Sequence, residues 1–352
     1  MIDMDKNSDS IPYLPAPKAG DYQKYQNWST AIGLQAVDGL KPSRYLLKLA
    51  EDNIKGKKSI EEVEALLGSY YEGLGEKERF EKRYEQEADK VSSRIAKLLE
   101  TKSFVLTEMS LRSIHRILFA GWPQYTPGRY RTYDIVKKEW VLDGDTVQYG
   151  HWRVLDEEVK NLIDTEKNFN YSELSISEKI EHITNFVSDI WVLHAFFEGN
   201  TRTTAVFTIK YLNSIGFKVD NTPFEAHSLY FRNALVRANY ENGVTDIQPD
   251  KRFLVRFFEN LLNNGKYVLR NREMHIYWRR GDTVNNTVDD TVDDTVKIIN
   301  LIKRNKDITI DEIAKKLRIS RSTVLRRIKV LKERGSVRRV GTDKAGYWEA
   351  TL

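Results

Sequence analysis

The sequence contains no cysteine. This absence excludes disulfide bonds, zinc sites built from thiolates and a cysteine nucleophile. The sequence also lacks an apolar run of the roughly 20 residues that a membrane-spanning helix needs. Residues 1–10 are polar and acidic, without the apolar segment typical of a secretory signal. A cytoplasmic location without membrane attachment is therefore the expectation.

The net charge is small, +5 over 352 residues, but it is unevenly distributed. From Lys297 to the end, 16 Lys and Arg residues stand against 6 Asp and Glu residues, a balance of +10. The rest of the chain therefore totals −5. This asymmetry favours an acidic partner for the tail alone, and a solvated basic surface is the simpler alternative.

The pattern of apolar and turn-forming residues divides the chain into five segments. Gly39 is expected to end a short helix, Ser43 to begin the next, and Ser59 with Glu62 to form a capping box. The segments are a flexible lead-in (1–21), an N-terminal helical unit (22–103), a helical core (104–280), a polar linker (281–296) and a C-terminal unit (297–352).

Helical spacing of apolar residues dominates the core, as at Ile183, Val187 and Ile190. The period changes before residue 151, where a tight turn at Asp143-Gly144 lies between two short runs that predict strands. The predicted fold class is mainly α, a helical core with one β-hairpin, followed by a small α+β unit.

One short segment combines several groups with chemical capability. An apolar helix is expected to end near His194, and the loop Glu198-Gly199-Asn200 leads into a helix that begins near Thr201. A helix N-terminus binds anions, and the forked guanidinium of Arg202 suits phosphate. The Glu198 carboxylate suits Mg²⁺, and a neutral His194 could accept a hydroxyl proton. Taken singly, each residue has a structural alternative: a helix cap, a turn or a surface ion pair.

The same segment resembles the signature of the Fic family, H-x-F-x-[D/E]-G-N-x-R-x-x-R. It matches six of the seven fixed positions, at His194, Phe196, Glu198, Gly199, Asn200 and Arg202. The resemblance extends over roughly Phe104 to Leu262. It implies an all-helical core with one β-hairpin, the flap, which lays a target segment beside the histidine. The hairpin predicted at Asp143-Gly144 would be this flap.

The resemblance implies an enzyme that transfers AMP from ATP to a Ser, Thr or Tyr hydroxyl of a protein. His194 would be the general base, and Glu198 would hold Mg²⁺. The nucleotide would be bound by residues of the motif and of a later helix, namely Glu198, Gly199, Asn200, Thr201, Arg202, Tyr230 and Asn233.

The chain departs from the signature at its last position, where Ala205 replaces a second arginine. In the family, that arginine contacts the γ-phosphate and pairs with a glutamate on an inhibitory helix. Residues 22–72 resemble the small antitoxin partners of Fic toxins, whose helix reads [S/T]-x-x-x-E-G. Here Asp38 takes the acidic position before Gly39 and is the candidate regulatory residue. The usual ion pair is not expected without an arginine at position 205, and an ordinary packing helix is the alternative.

The tail has the pattern of a winged helix-turn-helix module. Ile308–Leu317 and Arg321–Arg334 predict two helices, and Val337–Trp348 suits a small β-wing. In such modules the second helix enters the DNA major groove. The candidate DNA-contacting residues lie at or near the start of that helix: Ser320, Arg321, Thr323, Arg326 and Arg327. Winged helices also bind proteins, which is the alternative.

Three functions fit these patterns: an AMP transferase with a winged helix, a DNA-binding regulator whose core senses nucleotide, and an antitoxin-like or scaffold protein without turnover. His194 favours the transferase because a sensor needs no base, whereas Ala205 slightly favours the others and leaves the nucleotide preference open. The expected cofactors are ATP and Mg²⁺. The expected partners are a protein hydroxyl and double-stranded DNA, with a homodimer left open and no membrane.

Overall fold

The computed structural model describes residues 14, 22–219, 222–278, 298–299, 301–303, 305–317, 321–333, 337–340 and 346–350. Most of the predicted lead-in and the whole predicted linker, 281–296, lie outside these residues. The chain divides into two compact units, the first ending at Ile276 and the second beginning at Tyr277.

The first unit is built mainly from α-helices, so the mainly α prediction is confirmed. Its α-helices are α1 (Tyr22–Gly33), α2 (Arg44–Ile54), α3 (Ile60–Glu72), α4 (Glu76–Glu81), α5 (Arg83–Glu100), α6 (Glu108–Leu118), α7 (Leu155–Lys167), α8 (Ile176–Leu193), α9 (Asn200–Ser214), α10 (Thr222–Ala238) and α11 (Arg252–Leu262). Its 3₁₀ helices are Leu34–Asp38, Pro123–Tyr125, Trp140–Leu142, Trp152–Val154 and Asn271–Met274.

The predicted helix boundaries in the N-terminal part are confirmed. The Ser43 hydroxyl caps α2 by accepting the Leu46 N–H at 2.9 Å. Ser59 and Glu62 form both hydrogen bonds of a capping box at the start of α3. Gly39 ends the 3₁₀ helix Leu34–Asp38, hereafter the 34–38 turn, in the left-handed conformation with φ 69°. Glycine reaches this conformation without the steric cost that a Cβ imposes.

Helix α9 lies at the centre of the first unit. Every residue from Asn200 to Leu212 is buried, because α5, α6, α8 and the 34–38 turn pack around this helix. The N-terminal helices contribute to the same hydrophobic core as the later ones, from Trp28 in α1 to Leu261 in α11. The segment that carries the predicted chemistry therefore opens the most enclosed helix of the unit.

The expected flap, the segment between Gly128 and His151, turns where the sequence predicts, but its arms are not β-strands. Asp143 and Gly144 both have positive φ, 55° and 92°, as a tight reversal requires. The first arm is the 3₁₀ helix Trp140–Leu142 rather than a strand. The reason is that the Leu142 N–H donates to the Glu139 carbonyl at 3.1 Å and closes a 3₁₀ turn, while the Gly144 N–H donates to the same carbonyl across the reversal at 2.9 Å. The Glu139 N–H still donates across the reversal to the Asp145 carbonyl at 2.8 Å.

The second unit has the two helices and the wing that the sequence predicts. These elements are α12 (Ile310–Leu317), α13 (Arg321–Glu333), β1 (Val337–Val340) and β2 (Tyr347–Ala350). The two strands are antiparallel, with Val337 opposite Ala350. The unit has its own buried core, and Trp348 of the wing donates from Nε1 to the Ile308 carbonyl at 3.0 Å.

Candidate active site

His194 caps the C-terminus of α8 with an unusual backbone conformation. Its φ of 47° and ψ of 50° lie in the left-handed region, which non-glycine residues rarely adopt. The buried Arg131 guanidinium fixes this geometry by donating to the His194 carbonyl at 2.9 Å and to the Leu193 carbonyl at 3.1 Å. The Arg131 backbone N–H also donates to the Ala195 carbonyl at 2.9 Å. The histidine is therefore held rigidly at the helix end.

The His194 imidazole is enclosed by aromatic rings and is only 4% exposed. The ring centroids of Tyr149 and Trp191 lie 4.3 and 5.4 Å away. Among the described residues neither ring nitrogen has a hydrogen-bond partner. Burial lowers the pKa of His194 well below its ordinary value, and the positive charges of Lys137 and Arg232 lower it further. The imidazole is therefore neutral near pH 7, the form that can accept a proton.

Glu198 occupies the loop between α8 and α9 with its carboxylate partly exposed. The Lys137 ammonium lies 3.2 and 3.3 Å from its two oxygens. The backbone carbonyl of Glu198 accepts a hydrogen bond from His115 Nε2 at 3.0 Å. Because the Gly128 N–H donates to His115 Nδ1, the proton must be on Nε2. Burial lowers the pKa of His115 to about 4, so this ring acts as a neutral support for the loop.

Gly199 and Asn200 fix the path of the same loop. Gly199 has φ 73°, and a Cβ at this position would lie 2.0 Å from the Phe119 ring. The Asn200 side chain closes the loop, because its amide accepts the Phe196 N–H at 2.9 Å and donates to the Phe196 carbonyl at 2.8 Å. The two residues therefore place the start of α9 directly after Glu198.

The N-terminus of α9 is suited to bind an anion. Within the described part of the chain, no side chain caps this terminus. The first N–H groups of a helix have no partner inside the helix, and they carry the positive end of its dipole. The Thr201 hydroxyl accepts the Trp191 indole N–H at 3.0 Å, which orients the first turn without capping it.

Arg202 is buried and is fully engaged by other side chains. It is 1% exposed, and its Nη2 donates to Glu87 at 2.8 Å while its Nη1 donates to Gln35 at 3.2 Å. Asp38 Oδ2 lies 2.7 Å from Nε, as an ion pair without hydrogen-bond alignment. The guanidinium also faces the Phe119 ring at 4.9 Å. In this conformation a phosphate group cannot reach Arg202.

The position of Asp38 corrects one expectation from the sequence. Without an arginine at position 205, the inhibitory ion pair is expected to be lost. Asp38 instead pairs with Arg202, the motif arginine that the chain retains. Ala205 is completely buried, so its methyl group lies in the core rather than in the site.

Tyr230 and Asn233 lie on α10, and their polar groups face other elements of the fold. The Tyr230 hydroxyl donates to the Phe253 carbonyl at 3.2 Å, and Asn233 donates to the Asn271 side chain at 2.9 Å. Both side chains are buried. These contacts give both residues a packing role, and their place beside a nucleobase stays a prediction.

Two charged residues that the sequence pattern does not single out, Arg232 and Glu139, are linked to His194 through Tyr149, whose ring packs against the imidazole. Arg232 of α10 donates from Nη2 to the Glu139 carboxylate at 2.9 Å. The Tyr149 hydroxyl lies 3.5 Å from the same Glu139 oxygen. Burial raises the pKa of Glu139, whereas the Arg232 charge opposes that rise. No spacing in the sequence connects these residues with the motif, because only the fold of the flap brings them together.

Glu198 fits Mg²⁺ as a single carboxylate ligand. Its oxygens already receive the Lys137 ammonium, so the position attracts a cation. Among the described residues no group of three or more His, Asp or Glu side chains could hold a metal ion by itself. A Mg²⁺ ion at Glu198 would therefore be bound jointly with phosphate oxygens and water, as this ion prefers.

The predicted DNA-contacting residues belong to the second unit. Arg321 begins α13, is exposed and pairs with Asp311 at 2.7 Å. Arg327 lies on α13 and is partly buried. Thr323 and Arg326 also lie on α13, but their side chains are outside the described part of the chain, as is Ser320 altogether. Among the helices described, none combines the length and apolarity needed to cross a membrane.

Comparison with known proteins identifies two regions of the chain. Residues 105–212 match the Fic/DOC family, and residues 295–338 match the winged helix-turn-helix DNA-binding family. The crystal structure of a Fic family protein from Desulfovibrio desulfuricans G20 is 13% identical, with a TM-score of 0.45 over 94% of this chain and 87% of that chain. No curated protein matches the sequence. The chain therefore carries a Fic/DOC-family domain and a C-terminal winged helix.

Proposed function

We propose that the chain, as the bearer of a Fic/DOC-family domain, transfers AMP from ATP to a Ser, Thr or Tyr hydroxyl of a protein. The observation that supports this most is the state of His194. It is a buried, neutral imidazole with no partner on either ring nitrogen among the described residues. Such a group is ready to take the proton of an incoming hydroxyl. A residue that served packing alone would not need a left-handed backbone fixed by a buried arginine.

The other site residues have distinct parts in this proposal. The free N–H groups of Asn200, Thr201 and Arg202 at the start of α9 bind the phosphates. Gly199 allows close approach of the loop backbone, and Glu198 holds Mg²⁺. When bound, the metal neutralises phosphate charge and polarises the bond that breaks. His194 deprotonates the target hydroxyl, whose oxygen forms the new bond to the α-phosphorus. The bond from the α-phosphorus to the oxygen that bridges to the β-phosphorus breaks, and pyrophosphate leaves.

The described conformation corresponds in this proposal to a resting state. Asp38 and Glu87 both neutralise Arg202, and the 34–38 turn packs on α9. Productive binding then requires the 34–38 turn to withdraw so that the guanidinium can turn to the phosphates. Asp38 is thereby the regulatory residue, through Arg202 and not through position 205.

The proposal is tested by transfer of label from α-³²P-ATP with Mg²⁺ to the protein itself or to extract proteins. His194→Ala should abolish transfer and leave ATP binding within about twofold, because the base acts mainly in the transition state. His151→Ala is the matched control, since His151 is a half-exposed histidine paired with Asp134. Wild-type transfer by His194→Ala would remove this residue from the mechanism. Absence of transfer by the wild type with ATP and every other nucleoside triphosphate would contradict the function itself.

A further inference from the structure

Neither arginine position of the motif offers an accessible cation to phosphate in the described conformation. Arg202 is enclosed by Asp38 and Glu87, and Ala205 carries no charge. A triphosphate with its metal ion still brings negative charge that needs partners other than backbone N–H groups. The site therefore needs other side chains near His194 that carry accessible positive charge.

Lys137 is the first such side chain. It belongs to the flap, its side chain is 27% exposed, and its ammonium lies 3.2 Å from Glu198. A cation bound by Glu198 would take the place of this ammonium, because both need the same carboxylate oxygens. Lys137 would then be free beside the start of α9, where the phosphates are expected.

Arg232 is the second such side chain, and it approaches from α10. One guanidinium nitrogen is fixed on Glu139 at 2.9 Å, and the side chain is 23% exposed. Glu139 is 1% exposed and cannot follow a ligand, so Arg232 stays anchored. A guanidinium has five N–H donors, and a single contact leaves the others to bind a second anion.

The two cations act on the same small region. Lys137 contacts Glu198 at 3.2 Å, and Arg232 contacts Glu139, two positions after Lys137 in the chain, at 2.9 Å. Both positive charges also lower the pKa of His194. The Arg232 charge is also stabilised by Glu198 and Asp38. Lys137 from the flap and Arg232 from α10 are therefore connected through three consecutive flap residues, 137–139.

We infer that Lys137 and Arg232 together bind the phosphates of the nucleotide, in place of the missing second motif arginine. This inference rests on the proposed function and names the residues that give that site its anion affinity. Lys137 contributes a mobile point charge, whereas Arg232 contributes a fixed fork. Their accessibility also explains how the first phosphate contact forms while Arg202 is still enclosed.

The test measures binding of ATP, ADP, AMP and adenosine by calorimetry to the full chain. Lys137→Met and Arg232→Met are each expected to weaken ATP binding about 10- to 100-fold, the range for a charge-assisted contact. The loss should diminish from ATP to AMP, and adenosine affinity should not change. Lys138→Met, the exposed neighbour of Lys137, and Arg252→Met, an exposed arginine on α11, are the charge-matched controls.

Arg232→Met leaves the buried Glu139 carboxylate unpaired, which could unfold the flap. The double variant Arg232→Met/Glu139→Gln removes both charges and should show the same selective loss of ATP affinity with an unchanged melting temperature. An equal loss for adenosine and ATP would mean a structural role and would overturn the inference. Unchanged ATP affinity in both Lys137→Met and the double variant would also overturn it. A wild type that binds no nucleotide would instead overturn the proposed function, and this inference with it.

Discussion

At the scale of single residues, Gly199 shows how the motif loop depends on close packing. Two demands meet at this position, a left-handed backbone and the absence of a Cβ beside Phe119. Phe119 is itself completely buried. Gly199 therefore fixes the position of Glu198 relative to the N-terminus of α9.

Gly199→Ala should destabilise the protein by more than the backbone cost alone, which is about 1–2 kcal/mol for a left-handed residue. The additional overpacking against Phe119 typically costs about 1–3 kcal/mol. Gly39→Ala is the matched control, because Gly39 has a similar φ of 69° but no atom lies within 4 Å of the place that its Cβ would take. Thermal unfolding of both variants gives the difference. Equal decreases in melting temperature would show that the Phe119 ring moves aside without destabilising the protein, and would contradict the predicted overpacking.

At the scale of elements, the 34–38 turn and α5 close the site by supplying the two carboxylates that hold Arg202. Burial opposes the charge of this arginine, but the neighbouring carboxylates dominate and raise its pKa. Removing the partners of a buried charge is costly, about 3–5 kcal/mol, because the remaining ion is left uncompensated. The described conformation of Arg202 is therefore stable only while both carboxylates are present.

Asp38→Asn combined with Glu87→Gln should lower the melting temperature and increase the stabilisation that ATP provides. The freed guanidinium then depends on phosphate for its counter-charge, and a ligand stabilises the folded form according to its affinity. Asp89→Asn on α5 is the control, since this buried carboxylate binds the hydroxyls of Ser43 and Tyr71 rather than an arginine. The thermal shift caused by ATP is measured for each variant. An identical ATP shift in the wild type and the double variant would show that the carboxylates do not restrict nucleotide binding.

Local signals in the sequence predict the elements better than their contacts. The capping box at Ser59, the stop at Gly39 and the reversal at Asp143-Gly144 all depend on neighbouring residues, and all three are present. The prediction of strands in the flap is wrong, because the Leu142 N–H closes a 3₁₀ turn on the Glu139 carbonyl and the first arm does not stay extended.

The partners of the site residues cannot be read from the sequence for a different reason. Glu87 is 115 positions from Arg202, and Arg232 is 93 positions from Glu139. Pairings at such separations follow from the packing of whole helices. The motif itself can be recognised because its loop closes on itself, with Asn200 bound to Phe196 four positions earlier.

At the scale of the whole molecule, the uneven charge coincides with a unit that has its own core. The winged helix follows an acidic first part, and the basic excess begins at Lys297. The winged helix-turn-helix match, 295–338, lies within the same stretch. We propose that this unit binds double-stranded DNA, with α13 in the major groove.

The full chain should bind duplex DNA in a gel-shift experiment, and the affinity should fall steeply with salt because condensed counterions are released. Arg326→Ala with Arg327→Ala should weaken binding, whereas Arg252→Ala in the first unit should not. A chain without residues 297–352 should lose DNA binding and keep nucleotide chemistry, since the first unit has a separate core. A full chain without affinity for any duplex at low salt would favour a protein-interaction role for the winged helix.

In the proposed function, the anchoring of the flap limits how a nucleotide can enter and leave the site. Both ends of the flap are hydrogen-bonded to the end of α8. The Arg131 side chain donates to the Leu193 and His194 carbonyls, and the Gly150 N–H donates to the Val192 carbonyl. Lifting the flap would break these bonds and would displace His194 with it. The 34–38 turn contacts Arg202 through Asp38 and ends at Gly39 in the left-handed conformation. In the proposed function, exchange of nucleotide is therefore expected to depend on movement of this turn and not on lifting of the flap.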